Sequence, residues 1–147
     1  MNLPTYITGS VQTKAYRILR ERVYAVLDQY ELTPTHWSML GTIMQARDGV
    51  RQAEIARIIH VKAPMVTLMA QDLQKRGIVK SVQNQFDARA KLLAITPEGK
   101  KFMKTVETSL NKALGQLLTN LTEKDLVTYH KVLVTIIANY ESSQKRK

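Results

Sequence analysis

The sequence predicts a mainly α-helical protein with a small β-hairpin: a winged helix-turn-helix core flanked by N- and C-terminal dimerisation helices. Three observations carry that expectation. Between Val50 and Thr96, two short helical patterns joined by a tight turn are followed by two short β-prone runs. The segments before Thr33 and after Thr96 carry apolar stripes at helical spacing, longer than a core of this size needs. Net charge is +10 over 147 residues, from 22 Lys and Arg against 12 Asp and Glu, a balance suited to a polyanionic partner.

The first thirty residues read as one long helix. Val11, Ala15, Ile18, Leu19, Val23, Val26, Leu27 and Tyr30 keep the helical period, with Arg17, Arg20 and Arg22 between them. Thr33-Pro34 is a helix start, with threonine as N-cap and proline in the first helical position. The helix it opens, over 34–46, is expected to turn Trp37, Leu40, Ile43 and Met44 inward and to stop near Asp48-Gly49. A short helix follows with Ile55, Ala56 and Ile59 on one side, then a turn through His60 and Val61. The next helix opens near Pro64 and sets Val66, Met69, Ala70 and Leu73 on one face. Lys75 and Arg76 before Gly77 mark its end, since cations favour the last turn and glycine takes the positive φ that follows.

After Gly77 the pattern changes to Ile78–Val82 and Leu92–Ile95, two strand-like runs joined by the polar segment 84–91. Thr96-Pro97-Glu98-Gly99 is a second helix start, with Glu98 placed against the N-terminal dipole. Phe102, Val106, Leu110, Leu114, Leu117 and Leu121 then form a stripe of five or six turns. Thr122-Glu123-Lys124-Asp125 begins a last helix, with Asp125 able to close a capping box, and its stripe is Leu126, Tyr129, Val132, Leu133, Ile136, Ile137 and Tyr140.

Composition removes whole classes of function. The absence of cysteine excludes disulfides, thiolate zinc sites and thiol redox sensing. No apolar run reaches the eighteen or so residues a membrane span needs, and the N-terminus shows no basic region followed by an apolar one, so a cytoplasmic protein is expected. His36, His60 and His130 are far apart in the chain, so no metal site is expected. No Gly-rich phosphate loop, H-E-x-x-H or nucleophile elbow occurs, so neither an enzyme nor a cofactor is expected. The positive charge is spread: net +2 over residues 1–47, +4 over 48–100 and +4 over 101–147. Only folding could gather it on one face.

Two helices set steeply, the second free to enter a major groove, make double-stranded DNA the expected partner. The terminal stripes, too long to bury easily within one subunit, predict a twofold homodimer, with an intrachain bundle as the alternative. A dimer would carry two reading heads for a palindromic site. The whole chain is then one domain, with residues 33–96 binding DNA and residues 1–32 and 97–147 pairing the copies.

Two segments carry a family resemblance. One is Asp87-Ala88-Arg89-Ala90-Lys91 followed by Leu93-Ala94-Ile95-Thr96-Pro97-Glu98-Gly99; the other is 52–79, with Leu73, Lys75, Arg76, Gly77 and Ile78 at its exit. In this order they resemble the D-x-R wing, L-T-x-x-G helix start and helix-turn-helix exit of the MarR/SlyA family of bacterial transcriptional regulators, over nearly the whole chain. The resemblance implies that Arg89 enters a minor groove and that Asp87 holds it. The physics agrees, since a carboxylate fixes the guanidinium fork and a narrow groove concentrates negative potential. Without the resemblance the two would read as a solvated hairpin pair. Ala88 stands where many members carry a second arginine.

The second helix of the motif departs further, with Leu68 where many relatives have arginine. Its groove-facing candidates are Lys62, Ala63, Met65, Thr67, Leu68, Gln71 and Lys75, joined by Lys91 in the wing. Gln71 can pair with adenine, Thr67 can bond bases or phosphate, and Met65 or Leu68 can touch a thymine methyl. A·T-leaning readout is expected, with affinity resting on phosphate contacts. If Met65 and Leu68 are instead partly buried, Thr67 and Gln71 alone face bases.

The resemblance also implies a small aromatic or anionic effector between the terminal helices and the winged core. Tyr16, Arg20, Tyr24, His36, Trp37 and Met39 are the candidate lining, an arginine near aromatic rings being able to hold a carboxylate over an apolar floor. The same residues also read as core, interface packing and solvated surface. The expected function is a repressor on a palindromic promoter site, released by such a ligand. A second reading, from another class, is a winged-helix dimer that docks a protein partner, motivated by Met65, Leu68 and Met69 in a helix that is normally polar.

Overall fold

A computed structural model of the chain describes residues 5–84 and 91–144. Among these, six helices and one hairpin follow in the order α1 (Thr5–Asp28), α2 (Pro34–Gln45), α3 (Gln52–Ile58), α4 (Ala63–Lys75), β1 (Val79–Gln83), β2 (Lys91–Ile95), α5 (Pro97–Gly115) and α6 (Glu123–Gln144). The chain divides into two compact units, Met1–Leu114 and Gly115–Lys147. No helix among the described residues is long and apolar enough to cross a membrane.

The core of the first unit draws on every element from α1 to α5. Leu27, Met39, Leu40, Ile43, Ile55, Val66, Leu73, Leu93 and Val106 are its fully enclosed large side chains. In α4 the stripe Val66, Met69, Ala70 and Leu73 is buried as its spacing predicts. α2 differs from its sequence reading by one position: Met39, Leu40 and Ile43 face in, whereas Met44 is exposed. Met39 precedes Ile43 by four residues and shares its face, which rotates Met44 outward. Trp37 is half-buried against the core edge.

Helix ends decide where the elements turn. Three of them close in the same way, with one residue at positive φ and the next N–H reaching back five residues. Leu32 N–H bonds Leu27 O at 3.0 Å past Glu31, Val61 bonds Ala56 at 3.0 Å past His60, and Ile78 bonds Leu73 at 2.9 Å past Gly77. Only the third uses glycine; the second falls at the turn through His60 and Val61 that the sequence predicts, and the first, at Glu31, carries no such local signal. α2 begins at Thr33, whose hydroxyl accepts from His36 N–H at 3.2 Å, while the His36 ring takes the Thr33 hydroxyl at 2.8 Å.

β1 and β2 pair antiparallel, Val79 with Ile95 through Gln83 with Lys91, about one residue displaced from the predicted runs. Val50 adds a single further rung on the other side of β2, at Leu93, with N–H to O bonds of 3.0 and 2.9 Å in the two directions. Gly49 turns the chain into that rung at φ +90°, where a Cβ would come within 3.0 Å of the Leu92 Cβ.

α5 is welded to the strand exit. The Thr96 hydroxyl donates to Gly77 O at 2.6 Å and accepts from Gly99 N–H at 2.8 Å, and Thr96 N–H bonds Ile78 O at 3.1 Å. α5 buries Met103, Val106 and Leu110. It stops at Gly115, so the expected stripe is shorter than predicted; Leu117 and Leu121 lie past its end and are exposed.

The second unit is a turn followed by α6. Asn120 takes φ +68°, and Thr122 and Asp125 close a capping box through Thr122 N–H to Asp125 Oδ2 at 2.8 Å and Asp125 N–H to Thr122 Oγ1 at 3.2 Å. The Thr122 hydroxyl, donating to Asp125 Oδ2 at 2.6 Å, and then the Thr122 N–H hold the Asp125 carboxyl below its ordinary pKa. No residue of α6 is buried.

Candidate nucleic-acid interface

α4 is built to show one face. A helix advances about 100° per residue, so Leu68 lies about 200° round from both Val66 and Ala70, opposite the buried stripe. Leu68 is 68% exposed and Met65 49%, so both are presented rather than partly buried. Lys62, Ala63, Thr67, Gln71 and Lys75 are exposed along the same helix. α3 braces its N-terminal half, with the Thr67 hydroxyl donating to Gln52 Oε1 at 2.9 Å and lying 3.3 Å from Ala63 O. Gln52 is a contributor that sequence reasoning missed, because nothing local links positions fifteen residues apart.

Arg76 ends α4 but does not face outward with Lys75. Its guanidinium donates to Tyr30 O at 2.7 Å and Glu31 O at 3.1 Å, sits 3.4 Å from the Asp72 carboxylate, and stacks 5.5 Å from the Phe102 ring centroid. Tyr30 completes the cluster, edge-on to Phe102 and bonded to Ser109 at 2.7 Å. This arginine fixes the angle of α4 against α1 and α5. It also neutralises Asp72, the acid of α4.

Lys91 opens β2, exposed and paired with Gln83. Asp87 and Arg89 lie outside the described residues.

The six residues predicted to line an effector site separate into four places. Tyr16, Arg20 and Tyr24 form an exposed ladder on α1, the guanidinium 5.8 and 5.6 Å from the two ring centroids. His36 serves the α2 cap; burial lowers its pKa below the ordinary 6.5, with the Asp72 carboxylate opposing and Arg76 reinforcing the shift. Met39 is fully enclosed in the core, since it shares the inward face of α2 with Ile43. Trp37 lines a cavity of about 490 Å³, with Gly41, Met44, Met103, Lys100, Lys104 and Glu107 among its other walls. Sequence reasoning missed the two lysines. Their spacing of four sets them on one side of α5, but only packing brings Trp37 opposite. Among the described residues no group of three His, Asp or Glu is gathered as a metal site.

The arrangement has known counterparts. Residues 32–91 match the model of the MarR family. Among solved structures, the transcriptional regulator PA3341 superposes with a TM-score of 0.74 at 24% identity, over 92% of this chain and 98% of that one. A MarR-family transcriptional regulator from Rhodococcus sp. RHA1 gives 0.73 at 18% identity, over 92% and 96%. CouR from Rhodococcus jostii RHA1, solved bound to p-coumaroyl-CoA, gives 0.73 at 20% identity, over 88% and 90%. The helix order, the hairpin and the sequence match of the central segment agree. Over residues 32–91 the chain therefore matches the MarR family of transcriptional regulators, and its fold is that of the solved regulators it superposes on.

Proposed function

We propose that the protein is a dimeric DNA-binding repressor of a palindromic promoter site, relieved by a small aromatic or anionic ligand. The observation that carries this reading is the outward face of α4, which sets Lys62, Gln71 and Lys75 around Leu68 while Asp72, the acid of that helix, is held by Arg76. Lysines at the two ends of a helix reach phosphates, and side chains between them reach base edges. Residues 33–96 form the reading unit. Arg89 supports α4 from the wing, positioned by Asp87.

Residues 1–32 and 97–147 pair two copies. In support, α6 exposes Tyr129, Ile136, Ile137 and Tyr140 at intervals that keep them on one side, and α1 exposes Val11 and Ile18. An exposed apolar stripe like that of α6 requires cover. The effector enters the cavity beside Trp37, where Lys100 and Lys104 take its negative charge and Met103 its ring.

The test is fluorescence anisotropy on duplex DNA from upstream of the protein's own coding region and on random duplex, across a salt series. Specific binding that weakens steeply with salt, and that Arg89→Ala and Lys75→Ala each reduce, supports the reading; each substitution lowers the salt slope by about one. Salt-insensitive binding indifferent to both would replace it with protein docking. Trp37 is the chain's one tryptophan, so quenching by hydroxybenzoates or hydroxycinnamates reports on the cavity directly. Sedimentation of Ile137→Asp tests the dimer.

A further inference from the structure

We infer that the recognition helix reads thymine methyl groups, with Leu68 as the specificity-determining side chain and Met65 beside it. The inference rests on the DNA-binding reading above and states what that surface selects. Leu68 is the most exposed large apolar side chain among the described residues, and it stands at the middle of the outward face of α4. Lys62 and Lys75 bracket it about 20 Å apart, the span of thirteen helical residues. Lysines so placed hold the backbone on either side of a groove whose floor meets Leu68.

The polar competitors are withdrawn. The Thr67 hydroxyl proton is given to Gln52 or to the helix carbonyl of Ala63. Arg76, at the end of α4, is bound to the carbonyls of Tyr30 and Glu31 and cannot fork onto a guanine. Gln71 remains, one turn beyond Leu68, and its amide matches the N6 and N7 edge of adenine.

Apolar contact with a T·A pair buries the C5 methyl. Against a G·C pair the same leucine would desolvate O6, N7 or N4 and offer them no partner. Discrimination therefore comes from both the favoured and the rejected base. The half-site this helix takes carries T and A at its centre and no obligatory G·C pair.

The experiment selects binding duplexes from a random library with the purified full chain, then replaces each thymine singly by uracil, which removes only the methyl. The expected result is a central T, with wild-type binding weakened roughly threefold to fivefold per half-site by uracil there. Leu68→Ala should bind more weakly but lose that difference between thymine and uracil, which a general loss of affinity would not produce. Leu68 is on the surface, so the variant keeps its fold. Selected sites with an invariant G·C under the helix, or equal binding of thymine and uracil duplexes, would overturn the inference while leaving DNA binding intact. If no duplex is enriched and binding ignores salt, both the inference and the DNA-binding reading fail.

Discussion

Gly99→Ala is the substitution that tests the construction of the winged core most sharply. Gly99 lies in the first turn of α5, directly over the chain leaving α4. A Cβ there would stand 2.1 Å from Ile78 O, 2.9 Å from Ile78 C and 3.0 Å from Ile95 Cγ2. An ordinary carbon–oxygen contact needs more than 3 Å, so backbone must move by about an ångström. The Ile78 carbonyl is not free to do so, because it accepts from Thr96 N–H at 3.1 Å and faces the Thr96 hydroxyl at 3.2 Å.

Forcing a methyl into a packed site costs about 1–3 kcal/mol, and weakening one or two bonds to a buried carbonyl adds about 1 kcal/mol each. Alanine's helix preference returns up to about 1 kcal/mol. The net is about 2–4 kcal/mol, a fall in Tm of roughly 6–15 °C for a chain this long. Thermal melts by circular dichroism should be run beside Gly41→Ala and Gly115→Ala, where the new Cβ meets nothing within 4 Å. Those two should hold or raise Tm. If Gly99→Ala melts within 2 °C of the parent, the close approach of α5 to the strand exit is not the constraint argued above.

Arg76→Ala and Lys75→Ala should separate folding from binding. The first loses two carbonyl bonds and a ring contact and is expected to destabilise by about 2 kcal/mol in urea titration. The second should leave stability within about 0.5 kcal/mol while weakening DNA binding. For His36, burial favours the neutral ring, so its contribution is complete above the ordinary 6.5 and is lost as pH falls through the lowered folded value. Tm should therefore drop between neutral pH and pH 5 by more in the parent than in His36→Ala; parallel curves would show that the cap does not titrate. His60→Gly should stabilise by about 0.5–1 kcal/mol, because φ +54° is a strained setting for histidine. An unchanged or lower denaturant midpoint would refute that.

Local signals in this chain are strong where one residue type does one job. Pro34 and Pro97 with their threonine caps, Gly77 after two cations, and the stripe 66, 69, 70 and 73 locate three helix boundaries and one buried face without tertiary information. The candidate site was legible to the same degree. The outward residues of α4 follow by subtraction from its buried ones, because a helix has only one set of angles. Strand bounds were displaced by a residue, and Val50, a single rung without periodicity, gave no signal.

Sequence by itself determined that this is a mainly helical winged fold, which face of α4 is presented, and where its helices begin. These depend on spacing and caps, interactions that reach no further than four or five residues. Tertiary structure alone decided what distant side chains do to one another. It placed Arg76 on the Tyr30 and Glu31 carbonyls rather than on the presented face, tied Thr67 to Gln52, and set Trp37 across a cavity from Lys100 and Lys104. It also drew Met39 into the core and scattered the predicted effector residues over four places. The physical reason is that a guanidinium or hydroxyl takes whichever partner the fold brings within about 3 Å, and that partner can lie anywhere in the chain.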